Sequence, residues 1–127
     1  MFQVTSDILK NRLYIQLSEF MPDESVAEAA DKVIDQAKKL KPGFGVINDI
    51  STFKPGTPKA AEEIKRAQLF LKNNGVGHVV RIVGKSVIAA MQLNHMGKEA
   101  GYEADVVSSR EEAEAYLDKV SYQNKLS

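Results

Sequence analysis

Asp49, Ser51, Lys54, Thr57 and Lys59 set a carboxylate, two hydroxyls and two ammonium groups along one short stretch that follows the apolar run from Phe44. If that run is a buried strand, the stretch lies at its carboxyl end, where open α/β sheets gather their ligands. The same residues also have a simpler reading. Asp49 and Ser51 would organise a loop, Thr57 would cap a helix, and the two lysines would be solvated. General acid–base chemistry needs a second titratable group within hydrogen-bond reach, and the sequence places none beside Asp49. The stretch is therefore a candidate binding surface rather than a candidate active site.

Gly84-Lys85-Ser86 invites comparison with a phosphate-binding loop, in which backbone amides, a lysine and a hydroxyl wrap the phosphates at a helix start. The spacing excludes it. The pattern needs a glycine five residues before Gly84, where Val79 stands, and the loop would fall inside the strand predicted over His78 to Val83. Ser86 reads as a helix N-cap, and Lys85 and Ser86 could still contact a small anion. Neither His78 nor His95 has a Ser, Cys or carboxylate at a spacing that suggests a triad or a ligand set. His95 shares a helical face with Met91 and Lys98, which makes Met91 and His95 candidates for a pocket or interface. There is no Cys, which removes disulfides, thiolate nucleophiles and sulfur-ligated metals together. We expect no catalytic residues, no cofactor and no metal.

The elements that must position these residues follow from the hydropathy pattern. Alternation in Phe2, Val4 and Ser6, then in Leu13, Ile15 and Leu17, has the period of two expected of half-buried strands, and a turn near Lys10-Asn11 makes them a hairpin. Pro22 with Asp23 and Glu24 opens a helix. Its stripe is Val26, Ala30, Val33, Ala37 and Leu40, and Lys41-Pro42-Gly43 ends it. Phe44 to Ile50 reads as a buried strand and Ser51 to Thr57 as a loop. Thr57-Pro58 begins a second helix carrying Ala60, Ile64, Ala67 and Leu71, closed by Asn73-Asn74-Gly75. His78 to Val83 is a strand, and Ser86 to Ala100 a helix whose apolar residues spread beyond one stripe, so that it is deeply buried or meets a partner. Glu103 to Val107 is a last strand. Ser109 with Glu112 forms a capping box for a final helix, and residues 121–127 should fray.

The fold class is α/β: a mixed, mostly parallel sheet of about five strands with four covering helices in the order ββαβαβαβα, the first strand antiparallel at an edge. With 127 residues, residues 1–120 form a single domain. Seventeen Lys and Arg balance seventeen Asp and Glu, so no net field favours nucleic acid. No apolar stretch reaches membrane-spanning length, and we expect a cytoplasmic protein.

This element order, with Val46-Ile47-Asn48-Asp49-Ile50-Ser51 matching a third strand that ends in Asp-Leu-Ser, resembles the STAS domain, and especially the small bacterial SpoIIAA-like proteins, over nearly the whole chain. In anti-sigma-factor antagonists of that family the following loop ends in Asp-Ser-Ser-Gly, whose serine is phosphorylated to switch binding off. The corresponding stretch here is Lys54-Pro55-Gly56-Thr57-Pro58-Lys59, which lacks the acid and both serines. Thr57 is the only hydroxyl at a comparable helix start. The resemblance implies a non-enzymatic regulatory or protein-interaction module without the usual serine phospho-switch, acting on a protein partner or as a homodimer. The alternative is a small-ligand protein, holding a lipid-like or anionic molecule between the sheet and the helix over 86–100.

Overall fold

The computed structural model describes residues 2–54, 56–83, 98, 101–102 and 104–126. Five strands, β1 (Phe2–Asp7), β2 (Arg12–Glu19), β3 (Gly45–Phe53), β4 (Val79–Ile82) and β5 (Asp105–Val107), form one mixed sheet in chain order. Three helices are described: α1 (Asp23–Ala37), α2 (Pro58–Asn73) and α3 (Arg110–Leu126). β1 is antiparallel to β2, and every later pairing is parallel. The α/β class, the sheet of five and the antiparallel edge strand agree with the sequence reading. The helix predicted over 86–100 lies outside the described residues except at Lys98, which is helical and exposed.

The period-two pattern divides the sheet into two faces. Val4, Leu13, Ile15, Leu17, Val46 and Ile50 face α1 and α2 and are buried, while Ile47, Val80 and Ile82 face α3 with Ala113 and Leu117. Helix α1 packs on β1, β2 and α2, and α3 on β3, β4 and β5. On the α3 side the outer strands therefore carry polar residues, and Gln3, Thr5 and Gln16 are exposed. At residue 45 α3 approaches closely: a Cβ there would lie 3.0 Å from Leu117 Cδ1, so any larger residue would have to displace that side chain by a few tenths of an ångström.

Several boundaries move. β3 continues to Phe53, so Ser51 belongs to the strand and not to the loop. The pairing takes in one extra residue of β3 through a bulge: Gln16 opposes Asp49 but Ser18 opposes Thr52. α1 is capped at Lys38, before Lys41-Pro42-Gly43, which leaves Leu40 beyond the helix while still packed on the core. β4 and β5 are shorter than predicted, at Val79–Ile82 and Asp105–Val107. α3 runs to Leu126, through the stretch expected to fray. Its start keeps half of the capping box. Ser109 Oγ accepts from the Glu112 amide at 3.1 Å, but the Glu112 carboxylate accepts from Ser108 Oγ at 2.8 Å instead of reaching back to residue 109.

Candidate functional site

Thr57 organises one end of the molecule. Its backbone is extended (φ −77°, ψ 166°) with Pro58 in the first helical turn, the geometry that frees a cap side chain to meet the orphan amides of α2. Thr57 Oγ1 accepts from Ala60 N at 3.2 Å and donates to Asp23 Oδ1 at 2.5 Å, which ties the starts of α1 and α2 together. Lys54 N donates to Glu19 O at 3.1 Å, holding the β3–α2 loop against the chain that leaves β2. Glu19 has φ 58° there, and this sharp turn leaves Met21 buried at 1% exposure and Phe20 outside at 58%. Lys54, Thr57 and Lys59 are exposed. The result is an aromatic ring standing in solvent one residue from the point where the β3–α2 loop bonds to the chain leaving β2.

Asp49 does not join this cluster. It lies on the α3 face of the sheet, lining a groove of about 170 Å³ with Gln3, Thr5, Tyr14, Gln16 and Arg110. One oxygen, Oδ1, accepts from Ser51 N at 3.0 Å and from Ser51 Oγ at 2.7 Å, the local loop-organising role. The Arg110 guanidinium sits 5.0 Å from the centre of the Tyr14 ring. Burial and the bond to Glu114 raise the Tyr14 hydroxyl above its ordinary pKa. A carboxylate and a guanidinium sharing a groove can orient a polar molecule. His78 lies before the start of β4, whereas Asp49 is in register with Ile82 at its end, a separation of about 13 Å along the strand. His78 instead meets the edge of the Tyr116 ring at 6.1 Å. Among the described residues no cluster of His, Cys, Asp and Glu could hold a metal ion.

The opposite face holds a cavity of about 50 Å³ between the sheet, α1 and α2. Its walls are aliphatic, with small Ala29, Ala30 and Ala67 on the helices, and its polar groups are those of Asn48, Gln68 and Tyr102. Asn48 is 7% exposed, and its Oδ1 meets no hydrogen-bond donor among the described residues. Its register partner on β4 is Arg81, which is wholly buried and 6.0 Å from the centre of the Tyr102 ring. Burial pushes the Arg81 guanidinium down and the Tyr102 hydroxyl up.

Of the residues singled out in the sequence, the structure gathers Lys54, Thr57 and Lys59 at one surface and turns Asp49 to another, with Ser51 bonded to it at the end of β3. Lys85, Ser86, Met91 and His95 lie outside the described residues. Sequence reasoning missed Phe20, Asn48, Arg81 and Arg110. Phe20 carried no signal in the alternation: the inward run of Leu13, Ile15 and Leu17 breaks at Glu19, which is exposed and has a positive φ, and only the turn there sends Met21 in and Phe20 out. No protein-family model and no curated protein matches the chain.

Proposed function

We propose that the chain is a non-enzymatic protein-interaction module of STAS-like type, cytoplasmic, whose contact surface is Phe20 with Lys54, Thr57 and Lys59. The observation that carries this reading is Phe20. An aromatic ring left 58% exposed beside a loop that is itself pinned by Thr57 and Lys54 is the kind of rigid anchor that dominates binding energy at protein interfaces. The five-stranded sheet with an antiparallel edge strand supports the STAS-like assignment. The absence of a serine phospho-switch is supported by Thr57, the hydroxyl at this helix start, which already bonds to Ala60 N and Asp23 at the surface. The test is capture from the source lysate by the wild type and by Phe20→Ser at matched stability. Proteins retained by the first and lost by the second support the reading, and identical retention contradicts it.

A second reading, small-ligand binding, is favoured by the cavity that Asn48 Oδ1 lines without a donor. Its occupant would be compact and apolar, with one hydrogen-bond donor for the amide oxygen. Native mass spectrometry of freshly purified protein tests it: a retained small molecule supports ligand binding, and the bare chain mass contradicts it.

A further inference from the structure

Among the described residues no helix packs on the α3 side of β1 and β2, since α3 covers only β3, β4 and β5. The polar groove left there has one charged side chain of each sign in its lining, Asp49 and Arg110. Their positions follow from register. Gln3, Gln16 and Asp49 lie side by side across β1, β2 and β3, and Thr5, Tyr14 and Ile47 form the next row on the same face, two residues away. Such rows are about 7 Å apart. The Arg110 guanidinium lies 5.0 Å from the centre of the Tyr14 ring, so the cation belongs to one row and the carboxylate to the other.

Each charge is positioned, and neither is neutralised. Asp49 Oδ1 takes both bonds from Ser51, and Oδ2 accepts none among the described residues. Arg110 rests on Tyr14, whose hydroxyl donates to Glu114. The acids that follow Arg110 on α3 are engaged elsewhere or point away from it: Glu112 accepts from Ser108 Oγ, Glu114 accepts from Arg12 and Tyr14, and Glu111 is exposed. Among the described residues neither Asp49 nor Arg110 forms an ion pair, although both line one groove. A cation is also out of place as the first residue of α3, where the helix dipole favours acids. Departures of this sort from local sequence logic concentrate at functional sites.

We propose that this groove binds a free α-amino acid as its zwitterion, with the ammonium group on Asp49, the carboxylate on Arg110 and a polar uncharged side chain along Gln16 and Gln3. One lining charge of each sign suits a ligand that is neutral overall, because a lone anion or cation would leave one of the two uncompensated. The separation of the rows leaves space for a molecule that carries both charges on one carbon. A groove of about 170 Å³ takes on the order of ten water-sized atoms, the scale of a small amino acid. Because Ser51 and Tyr14 already hold the two charged groups, little ordering remains to be done on binding. The site lies across the sheet from the aliphatic cavity, and the inference does not depend on what binds there or at Phe20.

Titration of the isotope-labelled full chain with L-glutamine, followed through its backbone amide chemical shifts, tests it. Two blocked compounds run beside it on the wild-type chain: N-acetyl-L-glutamine, which lacks the ammonium group, and L-glutaminamide, which lacks the carboxylate. We expect L-glutamine to shift the amides around Asp49, Tyr14 and Arg110 saturably, and each blocked compound to bind about tenfold more weakly or worse. Asp49→Asn keeps an oxygen for Ser51 and Arg110→Gln changes an exposed side chain, so both should hold the wild-type melting temperature. Each should weaken L-glutamine about tenfold or more. Absence of a saturable shift at millimolar L-glutamine overturns the proposal. So does a blocked compound that binds as tightly as L-glutamine, which would reveal a site for a single charge, or binding that survives either substitution unchanged.

Discussion

Arg12, the first residue of β2, reaches the far end of the sequence: its Nη1 donates to Glu114 Oε1 at 3.0 Å, and Nη2 donates to Asp118 Oδ1 at 2.6 Å. The guanidinium side chain is 5% exposed, while Glu114 and Asp118 are 28% and 66% exposed. This fork, with the Tyr14 hydroxyl also donating to Glu114 Oε1 at 3.0 Å, fixes how α3 lies on the sheet. Removing Arg12 strands two acids that keep partial access to water, so the cost should fall short of the 3–5 kcal/mol typical of a fully buried pair. Arg12→Ala should destabilise by about 2 kcal/mol, read as a lower denaturant midpoint at unchanged slope. An unchanged midpoint would show that the fork does not hold α3.

Asp118 gives this fork a pH signature. Hydrogen bonding and charge pairing with Arg12 hold its carboxyl below the usual value. The unfolded chain therefore takes up the proton first as pH falls. The stabilisation is full above the ordinary carboxylate range near about 4, declines through it, and is gone below the folded value. Wild type should exceed Asp118→Asn in denaturant midpoint at about pH 6, and the gap should close as pH falls toward about 2. A gap that persists in acid would mean that another interaction of Asp118 is responsible.

Thr57→Ala removes the cap on Ala60 N and the bond to Asp23, and should cost about 1 kcal/mol. Thr57→Ser keeps the hydroxyl and should cost less. Equal midpoints for the alanine variant and wild type would mean that α2 does not rely on this cap.

The fold was legible wherever one residue's neighbours in sequence decide its state: the alternation of Leu13, Ile15 and Leu17, the Thr57-Pro58 start, and the edge position of β1. What escaped was set by distant contacts. Arg12 reads as an ordinary strand-edge cation until Glu114 and Asp118 arrive from residues over a hundred positions away. Asp49 reads as one of a cluster with Thr57 and Lys59. A strand turns successive side chains to opposite faces, and only the sheet's pairing shows that Asp49 belongs with Gln16 and Arg110. Phe20 escaped for a different reason: the turn at Glu19, with its positive φ, is not encoded by a glycine.

Asn48 offers a test of the interior. Its Oδ1 is buried in an aliphatic cavity with no donor among the described residues, and such a group loses its hydration without return. Asn48→Leu should therefore raise stability by about 1 kcal/mol. A fall of similar size would show that water or a ligand satisfies the amide in solution.

The interaction reading stands or falls at Phe20, and in-cell photo-crosslinking tests it most directly. A benzophenone amino acid replaces Phe20 in one variant and Gln3, on the open polar face of the sheet, in another. The account requires an adduct of defined mass from position 20 that is absent or much weaker from position 3. No adduct at position 20, or the same adducts from both positions, would contradict it.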